Sequence, residues 1–163
     1  MINPANNVET KIVSATVLAS RLAKLKKKNL RIGFTNGCFD CCHLGHIHSL
    51  REARRACDIL VVGLNSDKWI RTHKGPDRPI QDLKTRATLL ASFSYVDYIV
   101  VFSSETALPL VKKLHPDIIA KEGYPLDKWP EGRYVQNYGG KAVTISRLQG
   151  KSTTNIVNQI KGK

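Results

Sequence analysis

Apolar positions along this chain alternate between a helical rhythm and a strand rhythm. From Val13 to Lys27, Val17, Leu18, Leu22 and Leu25 recur at helical spacing above a basic outer face, and Ser14 stands where an N-cap belongs. Leu30 to Thr35 is a short strand-like run, which the turn pair Asn36-Gly37 is expected to end. Leu44 to Ala56 places Ile47, Leu50 and Ala53 on one helical face. Asp58 to Leu64 is almost continuously apolar, as a strand covered on both faces should be. Asn65 to Pro79 is polar, contains Gly75-Pro76 and Arg78-Pro79, and predicts an irregular loop with room for one helical turn. Leu83 to Phe93 predicts a helix, Val96 to Phe102 a strand, Thr106 to Leu114 a helix, and Pro116 to Ala120 a fourth strand. Tyr124 to Gly140, with two prolines and several aromatics, follows neither period. Lys141 to Ile145 predicts a fifth strand, and Ser152 to Lys161 a last helix capped by Ser152 or Thr153.

Strand and helix therefore alternate. The expected fold class is α/β: a Rossmann-like, doubly wound open sheet of about five parallel strands with helices on both faces. Residues 1–163 read as a single domain, with 1–10 a flexible N-terminal segment. Ligands of such sheets bind beyond the carboxyl ends of the strands, where strand order reverses. Asn36 to His46, at the end of the first strand, is the place to look.

Composition narrows the partners. The 163 residues are 42% apolar and 24% charged, an ordinary globular balance. Cys38, Cys41, Cys42 and Cys57 do not suggest a disulfide framework, since three crowd into five residues; reduced thiols are expected. No run is long enough for a membrane helix, and Met1 to Asn7 lacks the basic start and apolar middle of a signal peptide, so a cytoplasmic protein without a membrane partner is expected. The net charge of +13 raises the local concentration of anions, of which nucleotides, sugar phosphates and nucleic acids are all examples. The Lys24 to Lys28 cluster reads as a solvated surface. A nucleic-acid-binding domain would carry a recognisable module with interleaved aromatics; none is present and aromatics are 7%, so no nucleic-acid partner is expected.

His43 and His46 stand three residues apart at the start of a helix and project from one face. Gly45 between them permits close approach of a ligand to the backbone, and the helix N-terminus offers unpaired N–H groups to a phosphate. Two imidazoles aimed at that seat can stabilise a phosphoryl group in flight. His48, His73 and His115 lack this context and read as surface or loop residues. Zinc is a weaker reading of Cys38-x-x-Cys41 and His43-x-x-His46, because a tetrahedral site draws its ligand pairs from separate segments. Gly150-Lys151-Ser152 is not a P-loop, since Ile145 occupies the position of the required first glycine. Ser152-Thr153-Thr154 at a helix start, beside Arg147 and Lys151, form a second candidate phosphate site. The Asn65–Pro79 loop, with Asp67, Lys68, Arg71, Lys74 and Arg78, could serve as a basic lid.

Gly37-Cys38-Phe39-Asp40-x-x-His43-x-Gly45-His46 resembles the signature of the cytidylyltransferase-like nucleotidyltransferase superfamily of the HIGH type. Arg147-x-x-Gly150-x-Ser152-Thr153-Thr154 resembles its C-terminal phosphate-binding motif. The likeness runs from about Lys11 to the end. Within the superfamily it is greatest to the D-glycero-β-D-manno-heptose 1-phosphate adenylyltransferases, carried by Phe34 to Asp40, Val62 to Asp67, Lys74-Gly75-Pro76-x-Arg78-Pro79 and Ser152 to Ile156. One stretch departs: Lys121-Glu122-Gly123-Tyr124 replaces the usual Lys-Gly-Gly-Asp, in a region bordering nucleotide and acceptor. The kinase domain sometimes fused to such enzymes is not seen, so another protein is expected to supply the sugar phosphate.

The resemblance implies an adenylyltransferase: an acceptor phosphate attacks the α-phosphorus of ATP in line and releases pyrophosphate. Catalysis then consists of positioning and electrostatic stabilisation. His43, His46, Lys74 and Arg147 are the implied catalytic residues. Cys38, Phe39, His43, His46, Arg147, Ser152, Thr153 and Thr154 would bind the nucleotide, and Asp40, Asp67 and Lys74 the acceptor. Mg²⁺ is the implied cofactor, held mainly by phosphates rather than by protein ligands. The expected partners are ATP and a sugar 1-phosphate such as heptose 1-phosphate. A cytidylyltransferase acting on glycerol 3-phosphate keeps the chemistry and changes the substrates. A homodimer through the N-terminal helix is open.

Overall fold

Residues 8–148 and 153–160 are described in the computed structural model of this chain. Five parallel strands, β1 (Ile32–Gly37), β2 (Ile59–Asn65), β3 (Tyr98–Phe102), β4 (Ile118–Glu122) and β5 (Lys141–Ile145), form one sheet in the order β3-β2-β1-β4-β5. The chain steps outward from β1 to β3, then returns to the other side of β1 to lay down β4 and β5. Strand order thus reverses between β1 and β4, and a crevice opens at their carboxyl ends. The expected α/β class and strand number are both present.

Alternate side chains along each strand face opposite layers. Leu60, Val62 and Leu64 of β2 pack with Ile99, Ile118 and Ile145 beneath α3 (Leu44–Arg55) and α5 (Leu83–Ser92). Ile32, Phe34, Val61, Val100 and Ile119 fill the other layer, under α2 (Ala15–Lys26), α6 (Leu108–Leu114) and α7 (Pro130–Asn137). Ser14 caps α2 through its hydroxyl, which accepts from the Val17 N–H at 3.3 Å.

Four local expectations change. Asn36-Gly37 is the end of β1 rather than a turn, because Asn36 and Gly37 stay in register with Gly63 and Leu64 of β2. Residues 8–10 are not loose: Val8–Lys11 form a helical turn (α1), Val8 and Ile12 pack on the core, and Val13 donates to the Ile99 carbonyl at 3.0 Å. Asp67–Lys74 of the expected loop is a two-turn helix (α4), with Ser66 capping it by accepting from the Trp69 N–H at 3.2 Å. Its only buried residue is Ile70, so its apolar signal is faint, and Gly75 ends it with φ +96°. The segment Tyr124–Gly140 contains α7, started by Pro130 at its first position. Gly132 lies under the buried Trp129 indole, where a Cβ would meet Cε3 at 2.7 Å. The last helix, α8, spans Thr153–Ile160.

Among the described residues no helix is long and apolar enough to cross a membrane.

Candidate active site

β1 delivers the chain into a turn held under backbone strain. Phe39 and Cys41 both occupy left-handed conformations, with φ +48° and +49°, which non-glycine residues adopt only when their surroundings enforce it. Asp40 between them is that enforcement. Its side chain is 1% exposed; Oδ1 accepts from the Gln81 N–H at 3.0 Å, Oδ2 accepts from the Ile80 N–H at 3.0 Å, and Arg78 pairs with Oδ2 at 2.6 Å. The turn and the 78–81 segment are therefore one unit, and Arg78 of the expected lid is pinned.

Arg86 of α5 completes this frame from below. The residue is fully buried, and its guanidinium donates to the carbonyls of Cys38 at 2.6 Å, Asn65 at 3.0 Å and Gln81 at 3.1 Å. It also reaches Asp67 Oδ1 at 2.6 Å, while Asp67 Oδ2 accepts from the Leu83 N–H at 3.2 Å. One side chain thus ties together the ends of β1 and β2 and the start of α5. Asp40 and Asp67, expected at the acceptor, have oxygens that accept hydrogen bonds from donors within the protein.

His43 is the N-cap of α3, and its Nδ1 accepts from the Gly45 N–H at 3.1 Å. That bond assigns the ring proton to Nε2, which remains available to a ligand. His46 stacks on it with centroids 3.9 Å apart and planes 23° from parallel, and Phe39 backs His46 at 5.1 Å. His46 Nδ1 is buried without a hydrogen-bond partner. Burial holds the His43 pKa below its usual value, with Glu122 opposing. Burial chiefly, then His43 and Lys74, push His46 down to about 4. Both imidazoles are neutral at pH 7: they can donate N–H bonds to phosphate oxygens, and an arriving anion raises their basicity.

A cavity of about 180 Å³ opens beside them, lined among others by Asn36, Phe39, His46, Lys121 and Glu122. Glu122 accepts from the Ser49 hydroxyl at 3.0 Å, and Arg147 Nε lies 4.0 Å from its other oxygen. The Arg147 guanidinium rests against Gly123, whose φ of +67° and missing Cβ leave it room. At the start of α8 the Thr153 hydroxyl donates to the Asp40 carbonyl at 2.7 Å, docking that helix N-terminus on the histidine turn. His43, His46, Arg147 and Thr153 are thereby gathered at one mouth. Ser152 lies outside the described residues; Thr154 is the second residue of α8. Lys74, exposed at the end of α4, is near enough to His46 to depress its pKa. Cys38 contributes its carbonyl to Arg86, and its thiol is 4.0 Å from Asn65 Oδ1.

A second cavity, of about 220 Å³, lies over the ends of β1, β2 and β3, lined among others by Asn65, Trp69, Glu105 and Glu131. Asn36 and Lys121 line both cavities. Asn36 Oδ1 is buried and unpartnered. Lys121 Nζ sits 4.0 Å over the Tyr124 ring, and burial lowers its pKa against the opposing pull of Glu131. Glu131 accepts from the Ala107 N–H at 3.1 Å, so this carboxylate is hydrogen-bonded inside the wall.

Neither Arg86 nor Asn36 stood out in the sequence. The signal for Arg86 was available: it falls on the buried stripe of α5 with Ala87, Leu90 and Ala91, where a cation needs a reason. Asn36 was hidden by its reading as a turn residue. Among the described residues no three His, Cys, Asp or Glu side chains gather as candidate metal ligands.

The cytidylyltransferase-like family model matches residues 34–158, which includes both candidate phosphate motifs. The chain is 43% identical over 155 residues to the Bifunctional protein HldE of Paramagnetospirillum magneticum, covering 94% of this chain and 32% of that protein. It is 40% identical over 161 residues to the Bifunctional protein HldE of Acidiphilium cryptum, covering 98% and 33%. The chain thus spans about a third of the length of the curated relatives it matches. Among solved structures, it is similar to the lipopolysaccharide core biosynthesis protein of Thermoplasma volcanium (TM-score 0.63, 27% identity, covering 74% of this chain and 99% of that one). Pantoate-beta-alanine ligase of Francisella tularensis shares the fold at 15% identity and TM-score 0.63, covering 92% of this chain and 76% of that one. With the family model matching most of its length and the paired histidines, Arg147 and Thr153 meeting at the strand-reversal crevice, this chain belongs to the cytidylyltransferase-like family of nucleotidyltransferases.

Proposed function

We propose that this chain transfers AMP from ATP to a sugar 1-phosphate, with heptose 1-phosphate as the acceptor, and releases pyrophosphate. The observation that carries this reading is the two-cavity arrangement about Asn36 and Lys121: neutral imidazoles and Arg147 beside one cavity, hydrogen-bonding groups and an aromatic wall in the other. The likeness to the HldE proteins and to a lipopolysaccharide core biosynthesis protein supports a sugar phosphate as the acceptor.

The triphosphate lies across the histidine turn, with its α-phosphate at His43 and His46 and its outer phosphates at Arg147 and the start of α8. The helix N-terminus supplies N–H donors there, and the resemblance assigns the Ser152–Thr154 motif to the same phosphates. Neutral imidazole N–H groups strengthen their bonds as negative charge builds on the phosphoryl oxygens in flight. Lys74 closes from the end of α4. The nucleophile is an acceptor phosphate oxygen that is already anionic, so no side chain needs to remove a proton. Lys121, between the cavities, meets that phosphate and brings it in line with the α-phosphorus. The sugar occupies the second cavity, where Trp69 offers a flat apolar face and Asn36 and Asn65 offer amides. The engaged oxygens of Asp40 and Asp67 make poor Mg²⁺ ligands; Glu122 is the carboxylate at the mouth, so Mg²⁺ would be held chiefly by phosphates and would supply neutralisation of their charge.

ATP and CTP, each offered with heptose 1-phosphate, glycerol 3-phosphate and other phosphate acceptors, test the proposal through pyrophosphate release. Turnover is expected with ATP and heptose 1-phosphate. Preference for CTP with glycerol 3-phosphate would replace this reading by the cytidylyltransferase one.

A further inference from the structure

Away from the phosphate mouth, three residues join α4 to the loop between β3 and α6. The His73 ring lies flat on Trp69, with centroids 4.0 Å apart and planes within 11°. His73 Nε2 is 2.8 Å from Glu105 Oε1, and His73 Nδ1 is 2.8 Å from the Trp69 carbonyl one turn earlier. The Trp69 indole N–H donates to the Glu105 carbonyl at 3.1 Å. Both ring nitrogens therefore face oxygen acceptors. A neutral imidazole carries one N–H and satisfies one of them; an imidazolium donates to both.

Trp69 and Glu105 line the second cavity, whereas His73 stands behind them. Lys74 follows His73 at the end of the same helix, within electrostatic reach of His46. Glu105 is the charged group from another element that faces the ring among the described residues, and its hydrogen bond raises the His73 pKa, with the Trp69 carbonyl adding to it. The Glu105 side chain is 79% exposed, so this pair adds little to global stability and acts locally.

We propose that His73, held as an imidazolium between Glu105 and the Trp69 carbonyl, is a positioning residue that fixes Trp69 and Glu105 as the wall of the acceptor cavity, so that acceptor binding weakens as His73 loses its proton. The inference rests on the acceptor assignment made above. With a raised pKa the clasp is complete below the ordinary histidine value and is lost as pH rises through the folded one. Loss of one hydrogen bond of this kind raises the acceptor KM roughly fivefold, with kcat at saturating acceptor unchanged.

The test uses the full chain. NMR follows the His73 ring and the Trp69 indole N–H from acid to alkaline pH, and the KM for heptose 1-phosphate is measured over the same range at saturating ATP. In the wild type, the His73 titration, the indole shift and the rise in KM are expected to share one midpoint above the ordinary histidine value. Glu105→Gln should move the His73 and indole midpoints down together. His73→Gln, which donates to Glu105 at every pH, should start with the raised KM and show no inflection. A KM that stays flat across the His73 titration, or a His73→Gln protein with the wild-type KM profile, overturns the proposal. Absence of turnover with every acceptor defeats the functional reading instead; the clasp is then judged by the NMR arm, where an indole N–H that ignores the His73 titration sinks it.

Discussion

Arg86→Met keeps the length and apolar stem of the side chain while removing all of its donors. In the native protein those donors satisfy the carbonyls of Cys38, Asn65 and Gln81 and one oxygen of Asp67, all around a fully buried guanidinium. Each orphaned carbonyl costs about 1–3 kcal/mol, but these losses overlap, because the loosened turn can admit water to several at once. Breaking a buried pair by deleting one partner costs about 3–5 kcal/mol, and that range is the expected loss for the variant. For a domain of this size 1 kcal/mol shifts Tm by about 2–4 °C, so the melting point should fall by roughly 6–20 °C. Thermal unfolding followed by circular dichroism, with urea titration for the free energy, reads the effect. Pyrophosphate release should fall in parallel even well below the new Tm, because the Cys38 and Asn65 carbonyls lie at the strand ends that carry the site. A variant within about 1 kcal/mol of wild type, a shift no larger than a typical surface substitution causes, would refute the claim that this guanidinium holds the site together.

Arg147→Ala removes a mostly exposed side chain with one long ion pair, so stability should change by less than about 0.5 kcal/mol. The same variant should lower kcat/KM for ATP by on the order of 10²-fold in the pyrophosphate assay, as loss of a preorganised charge partner does. The His46 ring should titrate at about 4 in the free protein and move upward when ATP is added, as followed by NMR. Because the unfolded chain takes up this proton near the ordinary histidine value and the folded chain does not, stability falls as pH drops between the two. At about pH 4.5 the His46 share of that fall is roughly 2–3 kcal/mol, read as the difference from His46→Gln in urea unfolding.

The elements that the sequence made legible are those whose burial is local and periodic. β2 announced itself through Ile59 to Leu64 and α3 through Leu50 and Ala53, since packing against a sheet requires those spacings. α4 was read as loop because Ile70 alone is buried, and its stability comes from the Ser66 cap and the contacts of Trp69 and His73 with Glu105. α7 was obscured by Pro130 and Gly132, two residues unfavourable in helix interiors, which here start the helix and make room for Trp129. The histidine turn and the C-terminal motif stood out as candidates because phosphate chemistry calls for those residue types at that spacing. Asp40 and Asp67 were read as acceptor ligands, and their pairing with Arg78 and Arg86 is visible only in the fold. Such contacts span 19 or more residues of chain and leave no periodic trace. His73 was passed over for the same reason, since its partner Glu105 is 32 residues away.

The histidine turn is the centre of the proposed chemistry, and His46→Ala tests it most directly. The variant is assayed for pyrophosphate release from ATP with heptose 1-phosphate, alongside circular dichroism to verify the fold. Removing the imidazole proposed to donate to the phosphoryl group should lower kcat by at least about 10²–10³-fold in a protein that stays folded. A folded His46→Ala protein with wild-type turnover would contradict the assignment of this turn as the phosphoryl-transfer site.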